Sequence, residues 1–147
     1  MRTGLRQKQA IVEQEQTILH FPGGLLGFED IKDYVIFDYD ENIPLKWMQA
    51  ISDPSISFVV VDPFIVMPDY NIKLEGQHLH GLEVADIDHI YFYVLITIPR
   101  DTPSAMTANL QGPIIINAAN QFAKQLVLGK SIYHTKHQLF DVSKDQE

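Results

Sequence analysis

Along much of this chain apolar and polar residues alternate with a period near two, and helical spacing is scarce. Residues 106–117, MTANLQGPIIIN, show this best. The even positions are Met106, Ala108, Leu110, Gly112, Ile114 and Ile116. The odd positions are Thr107, Asn109, Gln111, Pro113, Ile115 and Asn117. Such alternation predicts a strand with one dry and one polar face. Pro113 has no N–H for a ladder, so the strand is expected to bulge there or to lie at an edge. A second run over 122–128, FAKQLVL, ends at Gly129, and the pair predicts a hairpin.

Further strands are predicted over 17–21, 34–39, 45–51, 57–61 and 90–98. The last, IYFYVLITI, is apolar on both faces and rich in β-branched and aromatic residues, so it is expected to be central. Turn signals separate these runs at Pro22-Gly23-Gly24, Asp40-Glu41-Asn42, Asp53-Pro54 and Asp101-Thr102-Pro103. Helical signal is thin: 28–33 and 79–88 each fit a turn or two. The pattern predicts a mainly β fold, an antiparallel barrel or sandwich with one or two short helical turns. Phe92, Val94, Ile96, Leu110, Ile114 and Ile116 are its expected core. No internal repeat or linker interrupts the chain. Residues 1–147 are therefore expected to form one domain, with about 1–140 as its ordered core and 141–147 as a flexible tail.

Composition narrows the function. At 147 residues, 46% hydrophobic and 20% charged, the sequence is that of a folded domain rather than a disordered or membrane-embedded one. It has no cysteine, which excludes disulfides, zinc–thiolate sites and thiol catalysis and suits a cytoplasmic home. The N-terminus is basic but has no apolar core, so it does not resemble a secretory signal. Residues 102–123 contain no charge, yet two prolines, three asparagines and two glutamines disqualify them as a membrane helix. The net charge of -8 is concentrated: residues 13–101 hold 16 acids and only four bases. That imbalance disfavours direct contact with nucleic-acid phosphates and suits a basic protein partner.

No catalytic or cofactor motif emerges. Gly129-Lys130-Ser131 resembles the end of a phosphate-binding loop, but the required upstream glycine position holds Lys124. FPGGLLGF at 21–28 does not match GxGxxG and is better explained as a tight turn with apolar flanks. His78, His80 and His89, or His134 with His137, lack the carboxylate that completes a known metal signature. No cofactor or metal is therefore expected.

Several stretches together resemble the FliW family of flagellar assembly factors: FPGGLLGFED (21–30), PLKWMQAI (44–51), SFVVVDPF (57–64), the strand ending at Ile98-Pro99, and TANLQGPIIIN followed by AKQLVL. The last pair is the most specific, being close to a family pattern NLxAPxxIN followed by a glutamine-containing strand. Gly112 stands where alanine is usual, and Trp47-Met48-Gln49-Ala50 replaces a commoner leucine-glutamine-serine.

The resemblance implies a regulator rather than an enzyme. Proteins of this kind bind the small basic translational repressor CsrA, which relieves repression of flagellin mRNA. They also bind flagellin, which titrates them. Neither nucleic acid nor membrane is an expected partner. The candidate partner-binding residues are the amides Asn109, Gln111, Asn117 and Gln125, the acids Glu83, Asp86 and Asp88, and the aromatics Phe64 and Tyr70. For the amides the alternative is that they satisfy nearby backbone groups. A flagellin chaperone without a regulatory role and a small carboxylate-based enzyme are the other functions considered.

Overall fold

The computed structural model describes residues 17–129 and 132–139. The expected tail at 141–147 and the basic N-terminal residues lie outside them. Nine strands form the framework: β1 (Thr17–His20), β2 (Asp33–Asp40), β3 (Ile43–Ala50), β4 (Ser57–Val61), β5 (Ile90–Thr97), β6 (Thr107–Ala108), β7 (Ile114–Asn117), β8 (Phe122–Gln125) and β9 (His137–Gln138). Among the described residues helix is confined to the single turns α1 (Pro63–Val66) and α2 (Gly76–Leu79), with 3-10 turns at Ile87–His89 and Pro103–Ala105.

Seven strands close a barrel in the order β4-β3-β2-β1-β8-β7-β5, because β5 pairs again with β4, while β6 and β9 extend outward from β5. Closure leaves no open edge on these seven. The β5 strand is central, as its two apolar faces predict. Pairing is antiparallel except between β1 and β8, which meet in parallel at the single pair His20↔Phe122.

Directly opposed residues share a face, so the register identifies the interior. Leu19↔Tyr34↔Ala50, Ile36↔Met48↔Phe58 and Tyr91↔Ile116↔Ala123 are interior rows, and all belong to one core cluster. The expected core residues Leu110, Ile114 and Ile116 are fully buried, and Val94 and Ile96 are buried too. Phe92 is a correction, being only half-buried. It lies opposite Ile115 on the outside of the barrel. On β5 it is Tyr91, Tyr93 and Leu95 that pack against the interior cluster.

The outside of β5 and β7 is also dry, because the excursion between β4 and β5 folds back over it. Tyr70, Val66, Met67 and Ile72 pack with Val59, Val94 and Ile96. Leu74, Leu79, Leu82 and Val84 pack with Ile115 and Phe92. A strand covered on both faces has no polar side, so strict alternation gives way to the all-buried Ile114–Asn117.

Two helical expectations also change. Residues 28–33 make no helix; Leu25 and Phe28 form a tight bridge, and Asp33 already opens β2. Within 79–88, the α-turn falls earlier, at Gly76–Leu79, and a 3-10 turn follows at Ile87–His89. Between them Gly81 and Glu83 have φ of 88° and 53°, outside the right-handed helical region. None of the helices among the described residues is long and apolar enough to cross a membrane.

Candidate functional site

The predicted strand at 106–117 is two strands with a bulge between them. Thr107 and Ala108 face Thr97 and Ile96, and Ile114 faces Tyr93. Residues 109–113 therefore stand opposite only Val94 and Leu95. Pro113 sits within this bulge, where its missing N–H does not interrupt a ladder, as expected.

The amides staple the bulge. Asn109 Oδ1 accepts from the backbone N–H groups of Gln111 (3.1 Å) and Gly112 (2.9 Å). Gln111 Nε2 donates to the Leu128 carbonyl (3.1 Å). Gln125 Nε2 donates to the Gly112 carbonyl at 3.1 Å, and its Oε1 accepts from Leu26 N at 3.3 Å, which ties the bulge to the 21–28 loop. All three are half-buried. A Cβ on Gly112 would lie 2.9 Å from Asn109 Nδ2 and 3.2 Å from Gln125 Nε2. Alanine at this position would therefore require a different placement of these two amides.

At the far end of β7, Asn117 is buried. Its Nδ2 donates to the carbonyls of Leu82 (3.0 Å) and Glu83 (3.3 Å), and its Oδ1 accepts from Ala119 N (3.0 Å). Asn120 Nδ2 joins it on Leu82 O at 3.1 Å. The two carbonyls flank the left-handed backbone of Glu83. The strand thus fixes the turn that presents the acids, and all three of these, Glu83, Asp86 and Asp88, are exposed. Asp86 caps the 3-10 turn by accepting from Asp88 N at 2.9 Å, with His89 Nε2 3.9 Å away.

Tyr70 is also buried, and donates its hydroxyl to the Leu110 carbonyl at 2.5 Å beside the bulge. Burial, with the adjacent Tyr133 ring, holds its pKa far above the usual tyrosine value. Phe64 stays exposed at the surface, edge-on to Tyr70 and Phe92. The candidates therefore form two groups. Tyr70, Asn109, Gln111 and Gln125 gather at the bulge, with Phe64 beside them; Asn117 and Glu83 meet at the acidic turn. Asn117 and Tyr70 offer no free surface, and the half-buried amides spend donors or acceptors on backbone groups.

Sequence patterns did not reveal the contacts that seal the excursion. Tyr133 Oη accepts from Asn71 N at 2.8 Å and donates to Asn71 O at 3.1 Å, joining segments 62 residues apart. Such separation carries no periodic signal. A cleft of about 720 Å³ runs between these segments, lined by Lys73, Glu75, His78 and Val127 among others. His78 is already engaged there, accepting from Glu75 N at 3.0 Å. Among the described residues no three His, Asp or Glu side chains converge as metal ligands.

The family model for the FliW protein matches residues 6–139. The chain belongs to the FliW family. It is 40% identical to the flagellar assembly factor FliW of Thermoanaerobacter pseudethanolicus over 129 residues, 87% of this chain and 85% of that protein. The FliW of Treponema pallidum, likewise named a flagellar assembly factor, is 38% identical over 128 residues, 87% of this chain and 83% of that one. A crystal structure of the flagellar assembly factor FliW superimposes with a TM-score of 0.77 at 33% identity, covering 85% of this chain and 86% of that one. The seven-stranded barrel is thus shared with a solved FliW.

Proposed function

We propose that this chain is a flagellar assembly factor that works by binding proteins and not by catalysis. It sequesters the translational repressor CsrA, frees flagellin mRNA for translation, and is itself titrated by flagellin. Membership of the FliW family over residues 6–139 carries this reading. Charge supports it: the described residues hold 14 Asp and Glu against six Lys and Arg. Among them Lys46–Asp38 is the sole Lys or Arg ion pair. The remaining acids create a field that attracts a basic RNA-binding protein and repels its RNA.

Co-elution of the purified chain with CsrA, and separately with flagellin, tests the two partnerships. Failure to retain either protein would remove that partner from the scheme.

Within this reading the turn bearing Glu83, Asp86 and Asp88 steers association. Its carboxylates are exposed, and exposed charges change association rate more than dissociation rate. The triple change Glu83→Gln, Asp86→Asn, Asp88→Asn is expected to slow CsrA association several-fold at low salt. Near 1 M salt, where the Debye length is about 3 Å, the effect should almost vanish. Stopped-flow measurements across a salt series provide the check. An unchanged on-rate at low salt would reduce these acids to a solubilising role, and a large rise in off-rate would make them direct contacts.

A further inference from the structure

Among the described residues, one apolar outer face of the barrel has no cover. Ile18, Val35 and Gln49 lie in one cross-strand row over β1, β2 and β3, and Phe37 opposes Trp47 in the next. Opposed residues share a face, and neither row belongs to the interior cluster. Tyr39 carries this face to the end of the hairpin. Its ring stacks on Trp47 with centroids 5.2 Å apart and planes 20° apart. Ile18, Tyr39 and Ile43 are 48%, 43% and 40% exposed, while Val35, Phe37 and Trp47 are half-buried.

On β5 and β7 the outward apolar residues are covered by the excursion. Here none of the three core clusters of the described residues includes Val35, Phe37 or Tyr39, and Trp47 packs against the covered cluster of Val59 and Ile96. A strand face open to water ordinarily carries polar side chains. Contiguous exposed apolar groups with a polar rim mark an interaction site, whereas single ones do not.

The rim has one sign. Asp38, Asp40 and Glu41 are all exposed at the hairpin end. Lys46, the cation among them, is held by Asp38 at 2.6 Å, which leaves Asp40 and Glu41 without an ion pair among the described residues. Aromatic faces beside carboxylates favour a guanidinium or ammonium group, whose aliphatic stem can lie along the neighbouring apolar side chains.

We propose that the outer face of β1–β2–β3, centred on the Tyr39–Trp47 stack and rimmed by Asp40 and Glu41, docks a basic protein segment that presents an arginine or lysine among apolar side chains. The identity of that segment's owner rests on the antagonist reading above, in which the basic partner is CsrA. Through Trp47 the face adjoins the covered cluster of Val59, Ile96 and Leu110; its exposed part supplies the contact, while the acidic turn at 83–88 acts at a distance.

Trp47 is the only tryptophan in the chain, so its emission reports on this face directly. The test is acrylamide quenching of Trp47 with and without purified CsrA, together with affinities for Tyr39→Ser and for the pair Asp40→Asn, Glu41→Gln. CsrA should shield Trp47 from acrylamide. Each variant should bind about ten-fold more weakly, the size of one partly desolvated cation–π or charge contact. Thermal unfolding confirms that the variants are folded. Should Tyr39→Ser unfold early, the charge pair carries the test, because both carboxylates are exposed. If CsrA binds the native chain while Trp47 stays fully quenchable and the charge pair keeps its affinity, this face is overturned and the antagonist reading stands. If the native chain binds no CsrA, both fall. Shielding of Trp47 that grows with the concentration of the chain alone would assign the face to a second copy and overturn the proposal.

Discussion

Replacing Asn117 by leucine is expected to destabilise the protein by about 1–3 kcal/mol, since its buried amide bonds three backbone groups that leucine cannot. The leucine fills a similar volume, so a packing void contributes little. What it cannot do is hydrogen-bond. Ala119 N would lose its acceptor and Glu83 O its amide donor, while Leu82 O would keep only Asn120. Glu83 and Ala119 are exposed residues whose backbone groups water can partly satisfy, so the loss is that of one unpaired buried group, about 1–3 kcal/mol. Urea unfolding monitored by circular dichroism measures the loss. A second readout separates this role from a generic core defect: limited proteolysis should cut faster between residues 82 and 89, because the carbonyls flanking Glu83 would no longer be held. A variant as stable as the native chain would show that the amide's bonds contribute nothing.

Ile115→Ala and Ile116→Ala are expected to be comparably damaging, each costing about 2–5 kcal/mol. Strict alternation on a half-exposed strand would make one of these neighbours tolerant. Both are fully buried, however. Ile116 points into the barrel with Tyr34 and Met48, and Ile115 points outward under Leu82 and Leu126. Each truncation leaves a void that rigid surroundings cannot fill. For a domain with a typical margin of about 5–15 kcal/mol, either change threatens folding near physiological temperature. Paired denaturant titrations decide the matter. If Ile115→Ala cost less than about 1 kcal/mol, below the ordinary range for such truncations, the covering excursion would not be part of the core.

The strands were legible because period-two alternation is a local signal. Runs such as Ser57–Val61 appear in the structure with the predicted bounds. The double apolar faces of residues 90–98 rightly pointed to a central strand. What escaped was whatever depended on contacts between distant segments. The excursion over Ile115 follows from long-range packing, so the local pattern could not tell which face of β5 lines the interior. Phe92 was expected in the core with Val94 and Ile96, yet on that same outer face the excursion leaves it only half-buried. Within the candidate site, the bulge at Pro113 was readable from proline's missing N–H. The partners of Asn117 and Tyr70, 35 and 40 residues away, were not. The apolar alternates Val35, Phe37 and Tyr39 were visible in the sequence, but only the register shows that they share an open face with Trp47.

The most direct test of the central claim is in vitro translation of flagellin mRNA in the presence of CsrA. The proposed function requires that CsrA lower flagellin synthesis, that this chain restore it in proportion to its ratio to CsrA, and that added flagellin protein reinstate repression. Persistent repression with this chain in molar excess over CsrA would contradict the account.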